Sequence, residues 1–132
     1  MFKTKNGEEI FVIDGHVHLW DGSPENQANR YGAGFIDCFY DYHTNLSPKE
    51  YLWPKEKFAK YGPDCMVQDL FVDGYVDIAI FQPTYLTEFF TNGFNTTEQN
   101  SILKERYPDR FILNGAFDPR QGEAGLEYLE QL

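Results

Sequence analysis

Two histidines separated by a single residue, His16 and His18, are the side chains in this sequence best placed to do chemistry. Side chains alternate along a strand, so both imidazoles leave the same face and can converge on one ion from a rigid support. Neutral imidazole nitrogens suit zinc and also accept manganese. The same spacing also describes a pair of partly buried histidines bonded to their neighbours, so the surrounding sequence has to decide. Asp14 shares the face and reads either as a partner of the metal-binding histidines or as a carboxylate paired with a nearby cation.

The elements that must position this pair can be read from periodicity. Ile10 to Leu19 predicts a first strand, with Phe11, Ile13, Val17 and Leu19 on one face and Val12, Asp14, His16 and His18 on the other. The first face is the one a barrel strand turns to its covering helices, and the second points to the barrel axis. The histidines fall at the C-terminal end of this strand, where parallel barrels build their active sites. Residues 21–47 show no sustained period and predict an inserted loop. It carries turn signals together with Tyr31, Phe35, Phe39, Tyr40 and Tyr42. An aromatic lid over a site, or a segment packed on itself or on a second subunit, are the two readings of it.

Ser47-Pro48 predicts a helix to Tyr61, with a capping box to Glu50 and an interruption at Pro54. A second helix is expected from about Asp64 to Asp73, ended by Gly74. Val76–Phe81 predicts the second strand, Asn95–Tyr107 a helix stopped by Pro108, and Phe111–Phe117 the third strand. A last helix follows from Gly122, with Ala124, Leu126 and Leu129 as its buried positions. Strands alternating with helices predict an α/β fold with a parallel sheet.

Composition narrows the classes. The 132 residues carry a formal charge of −10, with 21 acidic against 11 basic side chains. Phosphate binding needs clustered Lys and Arg, so no nucleic acid is expected, and an anionic membrane surface is equally disfavoured. Aromatic residues make up 17%, which suits a packed core rather than disorder. Cys38 and Cys65 do not amount to a disulfide framework, and Met1–Glu9 lacks the apolar stretch of a signal peptide. Cytoplasmic residence is the expectation.

Around the histidines, Ile13-Asp14-Gly15-His16-Val17-His18 resembles the amidohydrolase superfamily, and most the amidohydrolase-related branch that includes aminocarboxymuconate-semialdehyde decarboxylase. Asp73-Gly74-Tyr75-Val76-Asp77, Asn100, Tyr107-Pro108-Asp109-Arg110-Phe111 and Asn114-Gly115-Ala116-Phe117-Asp118-Pro119 carry the resemblance across the chain outside the insertion. The resemblance implies a (β/α)8 TIM barrel with one divalent metal, zinc before manganese, held by His16 and His18 and by ligands from later strands. His43 does not match those later positions. A complete barrel takes about 250 residues, so residues 1–132 are expected to be a truncated N-terminal part comprising three βα units. The general acid or base is expected beyond residue 132.

The implied activity is decarboxylation or hydrolysis of a small carboxylated aromatic or unsaturated substrate, in the full-length protein rather than in this part alone. Arg120, just after the third strand, is a candidate anchor for the substrate carboxylate, since a guanidinium can hold it with two parallel bonds. Its alternative is a surface or helix-start ion pair. Gln82 and Tyr85, after the second strand, are candidates to line the pocket. The aromatic insertion suits a homodimer of the full-length protein. The competing class is a small α/β module that binds a ligand or partner without catalysis. Such a module would need Gly-rich phosphate chemistry after the first strand, where this sequence has the histidine pair and a long insertion.

Overall fold

The expected alternation of strand and helix takes shape as a parallel sheet, seen in a computed structural model that describes residues 1–131. A short antiparallel hairpin, β1 (Phe2–Lys3) and β2 (Glu9–Ile10), precedes β3 (Ile13–Val17), the histidine strand. β4 (Trp20–Asp21) follows, then α1 (Arg30–Leu46), α2 (Lys55–Ala59) and β5 (Lys60–Tyr61), which pairs back onto β4. Next come α3 (Pro63–Val67), β6 (Ile78–Phe81), α4 (Thr97–Arg106), β7 (Phe111–Leu113) and α5 (Glu123–Gln131). The sheet order is β3-β6-β7, with both pairs parallel. This is a mixed α/β fold.

The strict alternation expected along the first strand is broken by one extra residue. Asp14 pairs with Ala79 but Val17 pairs with Phe81, so Gly15 and His16 together stand opposite Ile80. Such a bulge exchanges the faces on either side of it. Val17 and Leu19 therefore join the covered face with Ala79, Phe81 and Phe111, all of them buried. Ile13, expected on that covered face, lies on the open one and is 55% exposed, as is Ile112 at 46%. Phe11 is exposed as well, and Asp14 moves to the covered side.

Leu103 of α4 and Met66 of α3 close the covered face, and the Phe81 and Phe111 rings stack with centroids 5.0 Å apart. Gly74 ends the helical stretch after α3, through a wider π-type turn, as expected. A Cβ there would lie 2.7 Å from the Asp69 carbonyl oxygen, so the close approach admits only glycine.

The insertion is not a loop throughout. Arg30–Leu46 forms a 17-residue helix, begun by Asn29, whose side chain accepts the Tyr31 N–H. Phe35, Ile36, Phe39 and Tyr40 recur at helical spacing along it, a period that the flanking turn signals and the glycines at 32 and 34 masked. Ile36, Phe35 and Phe39 pack against Trp20, Phe90 and Phe94, so much of the insertion's aromatic content lies in a second core cluster. Tyr31 and Tyr42 remain exposed.

The helix expected from Ser47 is likewise rearranged. Ser47 closes α1 instead of opening a helix, and no capping bond forms at residues 48–51. Pro54 divides the segment, because proline cannot continue a helical hydrogen-bond ladder, and α2 starts immediately after it. In α5 the buried residue is Gly125, against the Phe117 ring, while Ala124, Leu126 and Leu129 are exposed. That helix meets too little of the sheet to bury its apolar side.

Candidate metal centre

His16 ends the bulged part of β3, and His18 follows the strand directly. The bulge turns Asp14 back on the chain, where its Oδ1 accepts the His16 N–H at 3.1 Å. Beyond the bulge, both imidazoles leave the side opposite the buried Val17 and Leu19. Their Nε2 atoms meet at 2.7 Å, with ring centroids 4.6 Å apart and planes inclined by 72°.

His18 is oriented from behind. Its Nδ1 lies 2.6 Å from the main-chain oxygen of Gln82, just past the end of β6. A carbonyl oxygen only accepts, so Nδ1 carries the hydrogen and Nε2 presents a lone pair. Without a cation between the rings, the short Nε2 contact is then a hydrogen bond donated by His16. Burial pushes the His18 imidazole below its ordinary value of 6.5. The bond to the Gln82 carbonyl works against this, and the neighbouring His16 adds to it. The neutral form that results is the one that binds metals.

Behind this contact lies a buried amide network. The Asn95 side chain donates Nδ2 to the same Gln82 oxygen at 2.7 Å and lies 2.9 Å from His18 Nδ1. Asn100 donates Nδ2 to Asn95 Oδ1 at 2.8 Å and to the Thr96 carbonyl at 2.8 Å. Both asparagines are 0% exposed. The main chain of Asn95 pairs with Thr84 in both directions, at 2.7 and 3.1 Å, which ties this segment to the end of β6. Thr96 and Gln99 form a reciprocal capping box that starts α4 and so fixes Asn100.

The pair fits half of a ligand set for a divalent cation: two imidazoles, two converging Nε2 atoms, and one ring braced through its other nitrogen. Among the described residues no group of three or more His, Cys, Asp or Glu side chains could hold a metal. His43 stands apart and has structural partners. Its Nε2 accepts the Trp53 N–H at 2.9 Å, and its Nδ1 contacts Ser47 Oγ at 3.1 Å.

Asp14 bonds the His16 main chain and neither imidazole. Gln82 reaches the site chiefly through its carbonyl, while its side-chain Nε2 makes a long 3.5 Å contact to the Gly15 oxygen. Tyr85 lines a cleft of about 600 Å³ with Glu98, Asp118 and Tyr128, and its hydroxyl lies 2.7 Å from that of Tyr128. The lining of this cleft includes neither histidine. Arg120 pairs with Asp118 through Nε and Nη2 and with Glu88 through Nη1, so two carboxylates already hold its guanidinium. Asn95 was legible only as a helix-start signal, because nothing in its local sequence shows which histidine it meets 77 positions away.

The sequence is 41% identical over 44 residues to (+)-larreatricin hydroxylase, chloroplastic, of Larrea tridentata. That stretch covers 30% of this chain and only 8% of the hydroxylase. No solved structure matches the chain. The amidohydrolase family model matches residues 13–132, which takes in the histidine strand, the parallel sheet and the asparagine brace. Members of that family typically use a divalent metal. By this match over nearly its whole length, the chain belongs to the amidohydrolase family.

Proposed function

We propose that the chain contributes the first three strand-helix units of a (β/α)8 barrel enzyme. The barrel would use one divalent cation, zinc before manganese, to decarboxylate or hydrolyse a small carboxylated aromatic or unsaturated substrate. The observation that carries this reading is the convergence of His16 and His18 Nε2 at the C-terminal end of β3. The parallel order β3-β6-β7 supports it, as does the open sheet face on which Ile13 and Ile112 lie.

In this reading His16 and His18 hold the cation, and later strands supply the remaining ligands and the general acid or base. When bound, the cation supplies Lewis acidity that polarises a substrate oxygen and activates water. His18 keeps its hydrogen on Nδ1 against Gln82, which leaves Nε2 free for the cation. To present its own Nε2, His16 would take the other neutral tautomer, with its hydrogen on Nδ1, in place of the one that donates to His18. Asp14 fixes the His16 main chain within the bulge. Gln82 stands directly after β6 and would border the substrate, whereas Tyr85 faces the separate cleft it shares with Tyr128 and would border it only if the substrate extends there. For Arg120 to anchor a substrate carboxylate it has to release Asp118 or Glu88, an exchange of one carboxylate for another. The exposed Tyr31 and Tyr42 of α1 would serve a homodimer contact.

The test is turnover by the whole protein on a panel of carboxylated aromatic acids and on lactones and amides, with the His16→Ala/His18→Ala variant as the blank. Carbon dioxide release, or ring or amide opening, that is lost in the variant supports the reading and selects the reaction. Turnover unchanged in the variant overturns it.

A further inference from the structure

We propose, building on the metal-centre reading, that Asn95 is a positioning residue: its buried carboxamide pins the Gln82 carbonyl, which keeps the His18 hydrogen on Nδ1 and turns the Nε2 lone pair toward His16 and the cation. The carbonyl oxygen accepts from His18 Nδ1 at 2.6 Å and from Asn95 Nδ2 at 2.7 Å. The two nitrogens lie 2.9 Å apart, and with the hydrogen on Nδ1 both donate to the one oxygen rather than to each other.

Asn95 cannot turn over to present its oxygen instead. Asn100 Nδ2 donates to Asn95 Oδ1, and a reversed amide would set two NH2 groups against each other. Asn100 is fixed in turn, because its Nδ2 also donates to the Thr96 carbonyl. Its own Oδ1 is buried without a partner. A buried acceptor left unpaired is costly, and here it accompanies an amide whose donors are both committed to this chain of bonds. A tight turn leads into Asn95. Gly93 adopts φ +78°, and a Cβ there would lie 2.4 Å from Thr96 Cγ2. The result is a one-way relay, from Asn100 through Asn95 and the Gln82 carbonyl to His18, that ends in one histidine tautomer.

A purely structural asparagine would stabilise the loop without caring which nitrogen of His18 holds the hydrogen. Asn26 provides that comparison. It is also buried, at 3% exposure, and donates to the carbonyls of Asp21 and Gly93 without touching either histidine.

The experiment reads the imidazole ¹⁵N shifts of His18 in the metal-free whole protein and the zinc affinity by chelator competition, for the unaltered chain, Asn95→Leu and Asn26→Leu. The unaltered chain is expected to show a protonated Nδ1 and a bare Nε2. Asn95→Leu is expected to mix the tautomers and to weaken zinc binding by about ten- to hundredfold, the usual effect of losing an outer partner of a ligand. Asn26→Leu is expected to lower the melting temperature while leaving both readouts in place. A folded Asn95→Leu protein with unchanged tautomer and affinity overturns the proposal. So does an Nε2-protonated His18 in the unaltered chain, a result that holds even if Asn95→Leu does not fold. A chain that takes up no zinc, yet shows the Nδ1 tautomer depending on Asn95, contradicts the metal reading and supports the pinning.

Discussion

The end of β3 and the stretch just after β7 both attract attention in the sequence, yet they are held by opposite means. His16 and His18 project from a strand whose other side is packed by Val17, Phe81 and Phe111, and His18 is braced by amides that water does not reach. Arg120 stands in the open and is held by Asp118 and Glu88. Buried bonds on a packed strand fix direction as well as contact, whereas exposed ion pairs are weak, screened by salt and easily exchanged. The first arrangement suits a ligand that must meet an ion at a set angle. The second suits a residue free to change partners.

The contrast can be strained from its strong side to its weak one. Phe81→Ala removes a fully buried ring directly beneath the histidine end of the sheet. It should cost about 3–5 kcal/mol in denaturant unfolding, with a fall in zinc affinity because Gln82 is the next residue. An unfolding loss with unchanged zinc affinity would separate the core from the site. Thr96→Ala breaks the capping box of α4 and should cost about 1 kcal/mol, with a smaller loss of zinc affinity through Asn100.

Acid should act at the β4–β5 bracket before it reaches the core. Burial pushes the Asp21 carboxyl up, but Lys60 and two bonds from Ser23 outweigh it and hold it below its ordinary 3.8. A carboxyl depressed in the folded state stabilises above its unfolded value, and that contribution is lost as pH falls through the folded one. Asp21→Asn should therefore flatten the loss of melting temperature below about pH 4. An identical acid profile in that variant would remove Asp21 from the account. The smallest effect is expected from Arg120→Ala, which should leave zinc affinity and melting unchanged. In the turnover assay proposed for the whole protein, catalytic efficiency within about twofold of the parent would end its role as an anchor.

Much of this was legible in the residues. The three parallel strands and the shared direction of the two histidines followed from apolar periodicity and from spacing. The strands are shorter than expected, Ile13–Val17 against Ile10–Leu19 and Phe111–Leu113 against Phe111–Phe117, and the short pairs β1–β2 and β4–β5 left no such signal. The bulge at Gly15 and His16 left none either, since one extra residue in a strand leaves no mark in composition yet reverses Ile13 and Asp14. Helix α1 escaped although Phe35, Ile36, Phe39 and Tyr40 recur at helical spacing, because Gly32, Gly34 and the turn signals before them read as loop. The asparagine brace escaped for a different reason. Asn95 and Asn100 are polar residues in a helix-start pattern, and only the fold carries them to His18 and the Gln82 carbonyl.

The most direct test of the central claim is the metal content of the whole protein by elemental analysis, beside its His16→Ala/His18→Ala variant. Near-stoichiometric zinc or manganese in the parent and none in the variant is the predicted result. A parent that carries no metal and takes up none when it is offered would contradict the metal centre and leave His16 and His18 as a hydrogen-bonded pair at the end of a strand.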